Sequence, residues 1–452
     1  MHDTEQMGTM PIPKLLTKLA VPAVIAQVVS LLYNIVDRIY IGHIPKIGAA
    51  ALTGAGLFMP LLVFIQACAA LACSGGAPMA SIALGKKQVS EAEGFLGCST
   101  ALILLLSVIL TPVFYLFAPG LLTFFGASSK TLPYALTYSR IYILGTVFVM
   151  IAVGLNLFIS AQGFAKTAML STVIGAVINI VLDPIMIFAM HMGVAGAAVA
   201  TDISQAVSAL WILRFLLGRK PPVRLKKQAL RLSKDVTAKV LALGVSTFIM
   251  MATESLLSIC FNHSLARYGG DIAVGAMTII TSLNNLVVLP LQGLMQGGSP
   301  IISYNFGAGR GDRVIAAFKA MLLSALVFGL AFWGLSRLAP TVLAGIFTDD
   351  GPLIAYTARC MKVYFAVIFT LAFQMTCQNS FVALGQARTS LFLACLRKLI
   401  LLIPLILILP RVMAARPVFA VFLAEPLSDL TAAAITTAVF FKKIRPILNQ
   451  SR

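Results

Sequence analysis

Twelve long apolar segments, separated by short polar or basic ones, constrain what this chain can fold into more than any other feature. A helix that crosses a bilayer needs about 20 apolar residues, so twelve such helices use nearly all of the 452 residues. Only 11% of the residues are charged, whereas soluble globular chains average about 25%. The sequence therefore predicts an all-α integral membrane protein with little room for a soluble domain.

Proline, glycine and charged residues bound the apolar segments and give approximate limits for the predicted spans. These spans are 15–42, 50–73, 94–117, 132–160, 168–190, 195–217, 239–266, 272–296, 314–337, 352–383, 391–411 and 417–441.

The net charge of +19 lies mainly in alternate connections between the spans. These connections and their flanks hold 24 of the 34 Lys and Arg residues, including the pairs Lys86–Lys87 and Arg397–Lys398. An excess of positive charge in alternate loops marks the cytoplasmic side, so both termini are predicted to be cytoplasmic. The placement argues against nucleic acid as a partner, and membrane lipids with anionic headgroups are the expected partners of the basic loops.

The two halves of the chain repeat each other at a constant offset of 222 residues. Residues 75–85 match residues 297–307, and 161–167 match 383–389. Each repeat contains six spans, an even number, so both enter the membrane in the same orientation, as parallel repeats do. We expect a V-shaped transporter with an N-terminal lobe at 1–218, a basic cytoplasmic linker at 219–238 and a C-terminal lobe at 239–452. The Gly-Gly-x-Pro segments at 75–78 and 297–300 are interpreted as tight turns.

Acidic side chains at membrane depth are costly and indicate function. Asp37 lies about 9 Å from the outer end of the first span, Asp183 about 10 Å from the outer end of the fifth, and Thr201 with Asp202 about 9 Å from the outer end of the sixth, at 1.5 Å per residue. Because these side-chain oxygens lie at the same depth in the membrane on three different helices, we predict that they form a cation-coupling site. The ion would be a proton shared between carboxylates, or sodium held by Asp37, Asn179, Asp183 and Thr201.

Helical spacing adds two neighbours to this site. Asn179 and Asp183 are four residues apart and share a helix face, as do Tyr33 and Asp37. Asp202 is either a third acid of the site or a residue of the outer vestibule. The alternative for Asp37 is an interfacial pair with Arg38, and for Asp183 a hydrogen bond within its helix.

The repeat limits this site to one half of the chain. The positions equivalent to Asp37 and Asp183 are Ile259 and Leu405. The acidic constellation is therefore absent from the second half, and the coupling site is predicted in the N-terminal lobe.

Glu254 in the seventh span lies about 18 Å from the outer end, near the middle of the bilayer. We predict that it faces the cleft and pairs with a cationic substrate; the alternative is a local hydrogen bond to a hydroxyl such as that of Ser258. Met251 and Met277 are predicted to line the same binding surface, since flexible thioethers suit varied ligands. Ordinary helix packing is the alternative for both methionines.

The sequence contains no nucleotide-binding loop, zinc-binding helix, nucleophile elbow or redox cysteine pair. We therefore expect no enzymatic activity and no cofactor apart from the coupling ion, H⁺ or Na⁺.

Several motifs resemble those of one transporter family. YNIVDRIYIG at 33–42, NIVLDP at 179–184, GVAGAAVAT at 193–201 and QGGSPIISYNFG at 296–307 are similar to segments of the MATE (multidrug and toxic compound extrusion) transporters. The likeness covers the full chain and is strongest to the MepA-like bacterial branch.

The resemblance implies a monomeric transporter of a bacterial inner membrane that exports cationic or amphiphilic compounds in exchange for protons or sodium. The motifs match the family's cation site to Asp37, Asn179, Asp183 and Thr201. Tyr33 matches the residue that neighbours this site on the first helix of the family. Glu254 matches more loosely the region where some members hold an acid, whereas Asp202 and Arg38 depart from the commonest pattern.

Two alternatives remain open at this stage. A flippase for lipid-linked precursors would need a cationic central cavity, whereas the intramembrane charges here are mostly acidic. A receptor or scaffold that transports nothing would not need a duplicated six-helix unit.

Overall fold

The structure is a computed structural model that describes residues 2–449, and these residues form helices and turns without a β-strand. Helix satisfies each backbone N–H and C=O within its own segment, which apolar surroundings require. The α-helices of the first half are α1 (His2–Thr9), α2 (Ile12–Gly42), α3 (Gly48–Leu57), α4 (Met59–Cys73), α5 (Gly76–Gly85), α6 (Val89–Phe124), α7 (Leu132–Leu144), α8 (Thr146–Gly154), α9 (Asn156–Ala161), α10 (Ala165–Pro184) and α11 (Val194–Leu217).

The second half begins with one very long helix and also contains a π-helical segment within an apolar run. Its α-helices are α12 (Lys234–Gly307), α13 (Gly311–Leu338), α14 (Pro340–Gly345), α15 (Gly351–Tyr364), α16 (Leu371–Ala383), α17 (Ala387–Cys395), α18 (Ile403–Val412) and α19 (Pro417–Asn449). Short π-helices occupy Ile185–Ala189 after α10 and Leu396–Leu402 between α17 and α18.

Within residues 2–449, nine helical segments are long and apolar enough to cross a membrane. Two bent pairs add one span each: α7 with α8 and α9, bent by 60°, and α15 with Ile368–Ala383, bent by 44°. The long α12 supplies two spans, because its backbone is broken at Gly270. The described chain thus contains the twelve predicted spans.

Gly270 divides α12 with φ 66° and ψ −163°, a conformation that only glycine adopts without strain. The two ends of α12 both approach the second span: a Cβ at Gly75, just before α5, would touch the carbonyl oxygen of Val240, and one at Gly85 that of Tyr304. Because α5 is about 15 Å long, a straight α12 cannot reach both points. The helix therefore doubles back at Gly270.

The buried apolar side chains form two cores. One is built from residues between 41 and 240, and the other almost wholly from residues between 257 and 448. The exceptions are Ala165 and the start of α2: Leu15, Leu16 and Leu19 pack into the second core, whereas Ile41 at the end of α2 packs into the first. One helix therefore contacts both halves, so a movement of α2 affects both.

The basic stretch before α12 packs on the first half. Val223 is fully buried, and its N–H donates to Oε1 of Gln162 over 3.0 Å. Lys226 pairs with Glu93 of α6 at 2.7 Å. These contacts fix this connection to one end of the first helix bundle.

The expectation that the two Gly-Gly-x-Pro segments form tight turns is wrong for the second copy and incomplete for the first. Residues 297–300 lie inside continuous α12, and residues 76–78 open helix α5 after a short break. A Cβ at Gly297 would lie 2.4 Å from the Cα of Ala20 on α2. Glycine is needed here because two helix backbones touch, so the motif serves packing between spans.

The N-terminal helix α1 ties the two halves together at one end of the bundle. Thr4 donates to the carbonyl oxygen of Gln162 over 2.7 Å. From the second half, Asn305 donates to the carbonyl of Met7 over 2.9 Å, and Arg313 to that of Met10 over 2.6 Å. The N-terminal segment is therefore held by both halves.

Candidate functional site

Asp37 and Asp183 face each other between α2 and α10. Their carboxyl groups lie within hydrogen-bonding reach of each other, and Asp183 has no solvent exposure. Pro184 follows directly, so the chain lacks an N–H at that point, and the helix widens into the π-helix Ile185–Ala189. Such π segments within α-helices often occur at functional sites.

Asn179 connects this acidic pair to α11. Its amide nitrogen lies 3.2 Å from Oδ1 of Asp183 and 3.3 Å from Oγ1 of Thr201, and it donates to both. Thr201 in turn donates to the carbonyl oxygen of Ala197 over 2.9 Å. The structure therefore brings together Asp37, Asn179, Asp183 and Thr201, the four residues predicted as possible sodium ligands.

Three tyrosines enclose the site. Tyr33 lies one turn from Asp37, as predicted, and interacts electrostatically with it. Tyr138 and Tyr142 on α7 are buried and stacked at a centroid distance of 6.0 Å, and Tyr138 lies beside Thr201. Sequence reasoning missed this pair, although its spacing of four residues on a predicted span was visible.

Several buried oxygens of the site have no hydrogen-bond partner in the described structure. They are Oδ1 of Asp37, Oδ2 of Asp183 and Oδ1 of Asn179. Buried polar atoms are almost always paired, so unpaired ones call for an explanation. Facing carboxyl oxygens can share a proton or hold a small hard cation, and hydroxyl and amide oxygens complete such a ligand set. The residues therefore fit either coupling ion.

Asp202 lies apart from this pair. It packs against Gly145, where a Cβ would lie only 2.2 Å from Oδ1 of Asp202. Within residues 2–449, no three His, Cys, Asp or Glu side chains lie together in a group that could hold a metal ion. Tyr142 lies near enough to both Asp202 and Asp37 to interact electrostatically with each.

A cavity of about 350 Å³ lies in the second half, between α12 and the helices that follow it. Glu254 and Met277 line it, but Met251 does not; Met250 takes that place. Adjacent helical residues point about 100° apart, so Met250 rather than Met251 shares the Glu254 face. The other polar lining residues include Asn262, Thr278, Ser282, Asn285, Gln292 and Gln374.

Charged residues from three helical segments meet at this cavity. Arg397 donates to Asp429 over 2.6 Å and to Glu425 over 3.0 Å, two acids one turn apart on α19. Lys398 pairs with Glu254 of α12 and lies 3.3 Å from the carbonyl oxygen of Met250. Glu254 therefore has a lysine partner, not the hydroxyl of Ser258 that the alternative required.

The placement of Arg397 and Lys398 at the cytoplasmic surface was wrong. Their span begins at Ala387, so both side chains lie about 15 Å along it, in the π-helix Leu396–Leu402. Lys398 is only 5% exposed. The second half thus has its own network of intramembrane charges, in which Arg397 and Lys398 pair with acidic residues. The adjacent Arg–Lys pair inside an apolar run was the signal for it.

Comparison with known proteins agrees with this architecture. The profile of the MatE family matches residues 22–185 and 247–408. The multidrug export protein MepA of Staphylococcus aureus (strain NCTC 8325 / PS 47) is 25% identical over 426 residues, which cover 93% of each chain.

Solved structures agree in fold. An outward-facing multidrug resistance MATE family transporter of the MOP superfamily superposes with a TM-score of 0.91 at 23% identity, covering 98% of both chains. A MATE crystal structure in the bent conformation gives 0.92 at 22% identity, covering 100% of this chain and 99% of the other. The predicted all-α fold of twelve spans in two six-helix repeats is thereby confirmed. This chain is a member of the MATE family of membrane transporters.

Proposed function

We propose that this protein is a secondary active multidrug exporter that exchanges cationic or amphiphilic compounds for protons or sodium ions. It works by alternating access between an N-terminal lobe (1–218) and a C-terminal lobe (239–452), joined by the basic linker 219–238. It is a monomer in a bacterial inner membrane, with both termini cytoplasmic. Membership of the MATE family and the similarity to MepA support this function.

The observation that carries the proposal is the pair of facing carboxyl groups of Asp37 and Asp183, each with an unpaired buried oxygen. Two carboxylates in apolar surroundings cannot both remain charged without a cation. A proton or sodium ion therefore stabilises one packing of α2 on α10. Since α2 packs into both cores, a change in its packing is transmitted between the lobes.

A ligand shifts a conformational equilibrium only by its different affinity for the two states. In this scheme the ion binds the outward-open state at Asp37 and Asp183, α2 repacks near Pro22, and the bound substrate is released outside. The ion then leaves to the cytoplasm and the cycle repeats.

A lipid-precursor flippase is the second candidate, and the charge balance at the cavity disfavours it. Such a protein needs a cationic cavity for a pyrophosphate. Here Arg397 is held between two carboxylates and Lys398 by a third, so acids outnumber bases. Binding of an undecaprenyl pyrophosphate carrier would favour the flippase, and the absence of any solute flux in proteoliposomes would favour a receptor or scaffold.

Ethidium efflux from proteoliposomes, driven separately by a proton gradient and by a sodium gradient, tests the proposal and identifies the coupling ion. Asp37→Asn and Asp183→Asn should each abolish gradient-driven efflux while the protein still purifies as a folded monomer. Asp235→Asn changes an exposed carboxylate at the start of α12 and should transport like the wild type. If the double variant of Asp37 and Asp183 still moves ethidium against its gradient, the coupling assignment is wrong.

A further inference from the structure

The ion pair between Glu254 and Lys398 is asymmetric in its exposure. The Glu254 side chain is 63% exposed and faces the cavity, whereas that of Lys398 is 7% exposed. The carboxylate is thus accessible to a ligand, and the ammonium is buried behind it. A cation that enters the cavity meets a carboxylate already neutralised by the protein's own lysine.

The other charged groups around Lys398 do not offer it a substitute partner. Glu425 and Asp429 on α19 are both bound to Arg397, and Arg397 itself adds a positive charge beside Lys398 on the same π-helix. Glu425 interacts with Lys398 electrostatically but hydrogen-bonds Arg397. If Glu254 turns to a ligand, Lys398 loses the carboxylate that it hydrogen-bonds.

The lining indicates what kind of cation fits. Thr278, Ser282 and Asn285 form a polar stripe at helical spacing on the second part of α12, opposite Ser258 and Asn262 on the first part. A volume of about 350 Å³ falls in the range of small-molecule pockets, roughly 300–1,000 Å³. The cavity therefore suits an organic cation that also carries hydrogen-bonding groups.

We propose that Lys398 is a built-in competitor of the substrate: an organic cation binds in this cavity by taking Glu254 from Lys398, and the displaced ammonium releases one proton to water. The cation forms an ion pair with the Glu254 carboxylate, and one N–H bond of Lys398 breaks. The net charge of the cavity is then unchanged. A buried ammonium without a counter-charge is unfavourable, which drives the release.

This mechanism rests on the proposed export of cations and adds a point at which substrate binding and proton release are linked. Lower pH should weaken cation binding, because a higher proton concentration favours protonated Lys398, which then stays paired with Glu254. The π-helix is the place in the span where the backbone exposes both Arg397 and Lys398 to the cavity.

Ethidium is a suitable probe because it is a fixed cation with two amino groups and no proton to release near neutral pH. Its binding to the full-length purified protein is followed by fluorescence, and proton release by a pH indicator in weak buffer. The wild type should release at least one proton per ethidium bound, the one from Lys398, and its affinity should fall as the pH is lowered.

Two variants separate the competitor role from a structural one. Lys398→Met removes the ammonium but keeps the length of the chain, and should bind ethidium roughly tenfold more tightly and release about one proton fewer per ethidium than the wild type. Lys398→Arg keeps a cation that does not deprotonate, and should bind ethidium roughly tenfold more weakly, again with about one proton fewer released.

The proposal is overturned if both variants bind ethidium like the wild type, or if the wild type releases no proton on binding. Gradient-driven efflux by the wild type and by Asp183→Asn, measured on the same preparations, keeps the two proposals distinguishable. If efflux depends on Asp183 but both Lys398 variants bind ethidium like the wild type, only the competitor role of Lys398 is contradicted. If the wild type shows no ethidium efflux, the proposed export function is contradicted.

Discussion

Gly85 and Gly307 are equivalent positions of the two repeats, and each packs against the main chain of the other repeat in the same way. A Cβ at Gly85 would lie 2.0 Å from the carbonyl oxygen of Tyr304, and one at Gly307 would lie 2.0 Å from that of Ile82. Ile82 and Tyr304 are themselves 222 residues apart, so the contact is reciprocal. The two halves thus close on each other through a symmetric pair of glycine contacts at one end of the bundle.

Replacing Gly85 by alanine should loosen this contact, because the new methyl group has no room against a backbone carbonyl. Overpacking of this kind costs about 1–3 kcal/mol. We expect Gly85→Ala to lower the thermal unfolding midpoint and slow ethidium efflux. Gly94→Ala is the matched control, since nothing lies within 4 Å of a Cβ there. Wild-type behaviour of Gly85→Ala in both measurements would contradict the contact.

Thr201→Val should disturb the coupling site without changing its charge. The substitution removes the hydroxyl that accepts from Asn179 and donates to Ala197. We expect a loss of stability of about 1–2 kcal/mol and a marked fall in gradient-driven efflux, measured in the same proteoliposomes. Thr201→Ser keeps the hydroxyl and should restore most of both quantities; failure of serine to do so would assign the effect to the methyl group.

Arg397→Met should be the most destabilising of these substitutions. It leaves Glu425 and Asp429 buried without their cation, and breaking a buried pair from one side costs about 3–5 kcal/mol. The yield of folded protein and its unfolding midpoint in detergent report this loss. Adding Glu425→Gln and Asp429→Asn removes the unpaired charges and should recover much of the stability. A triple variant as unstable as the single one would mean that Arg397 acts mainly through packing.

Gly145→Ala should push Asp202 away from the break between α7 and α8. The Cβ would collide with the carboxylate at 2.2 Å, so both stability and efflux should fall. Combining it with Asp202→Ala removes the colliding atoms, and the double variant should be more stable than Gly145→Ala alone. Additive losses in this cycle would show that the two residues do not touch.

The acidic pair in the first half was predictable because it depends on two local regularities. Asn179 and Asp183 are four residues apart and therefore share a helix face. Carboxylates inside apolar runs are rare, so they can be recognised in the sequence. The same regularities identified Tyr33 beside Asp37. Asp202 is also a carboxylate inside an apolar run, yet its side chain packs against Gly145. The rotation of α11 decides that Thr201, and not the adjacent Asp202, faces the acidic pair.

Hydropathy, composition and helical spacing were enough to predict the membrane class, the number of spans, the repeat at 222 residues and the residues of the acidic site. Only the folded structure shows that Lys398 reaches Glu254, that Arg397 lies between Glu425 and Asp429, and that glycines join the two halves. The physical reason is that hydropathy and helical spacing carry information about a single segment of the chain. A contact between residues 144 positions apart depends on how two helices are rotated and how closely they approach.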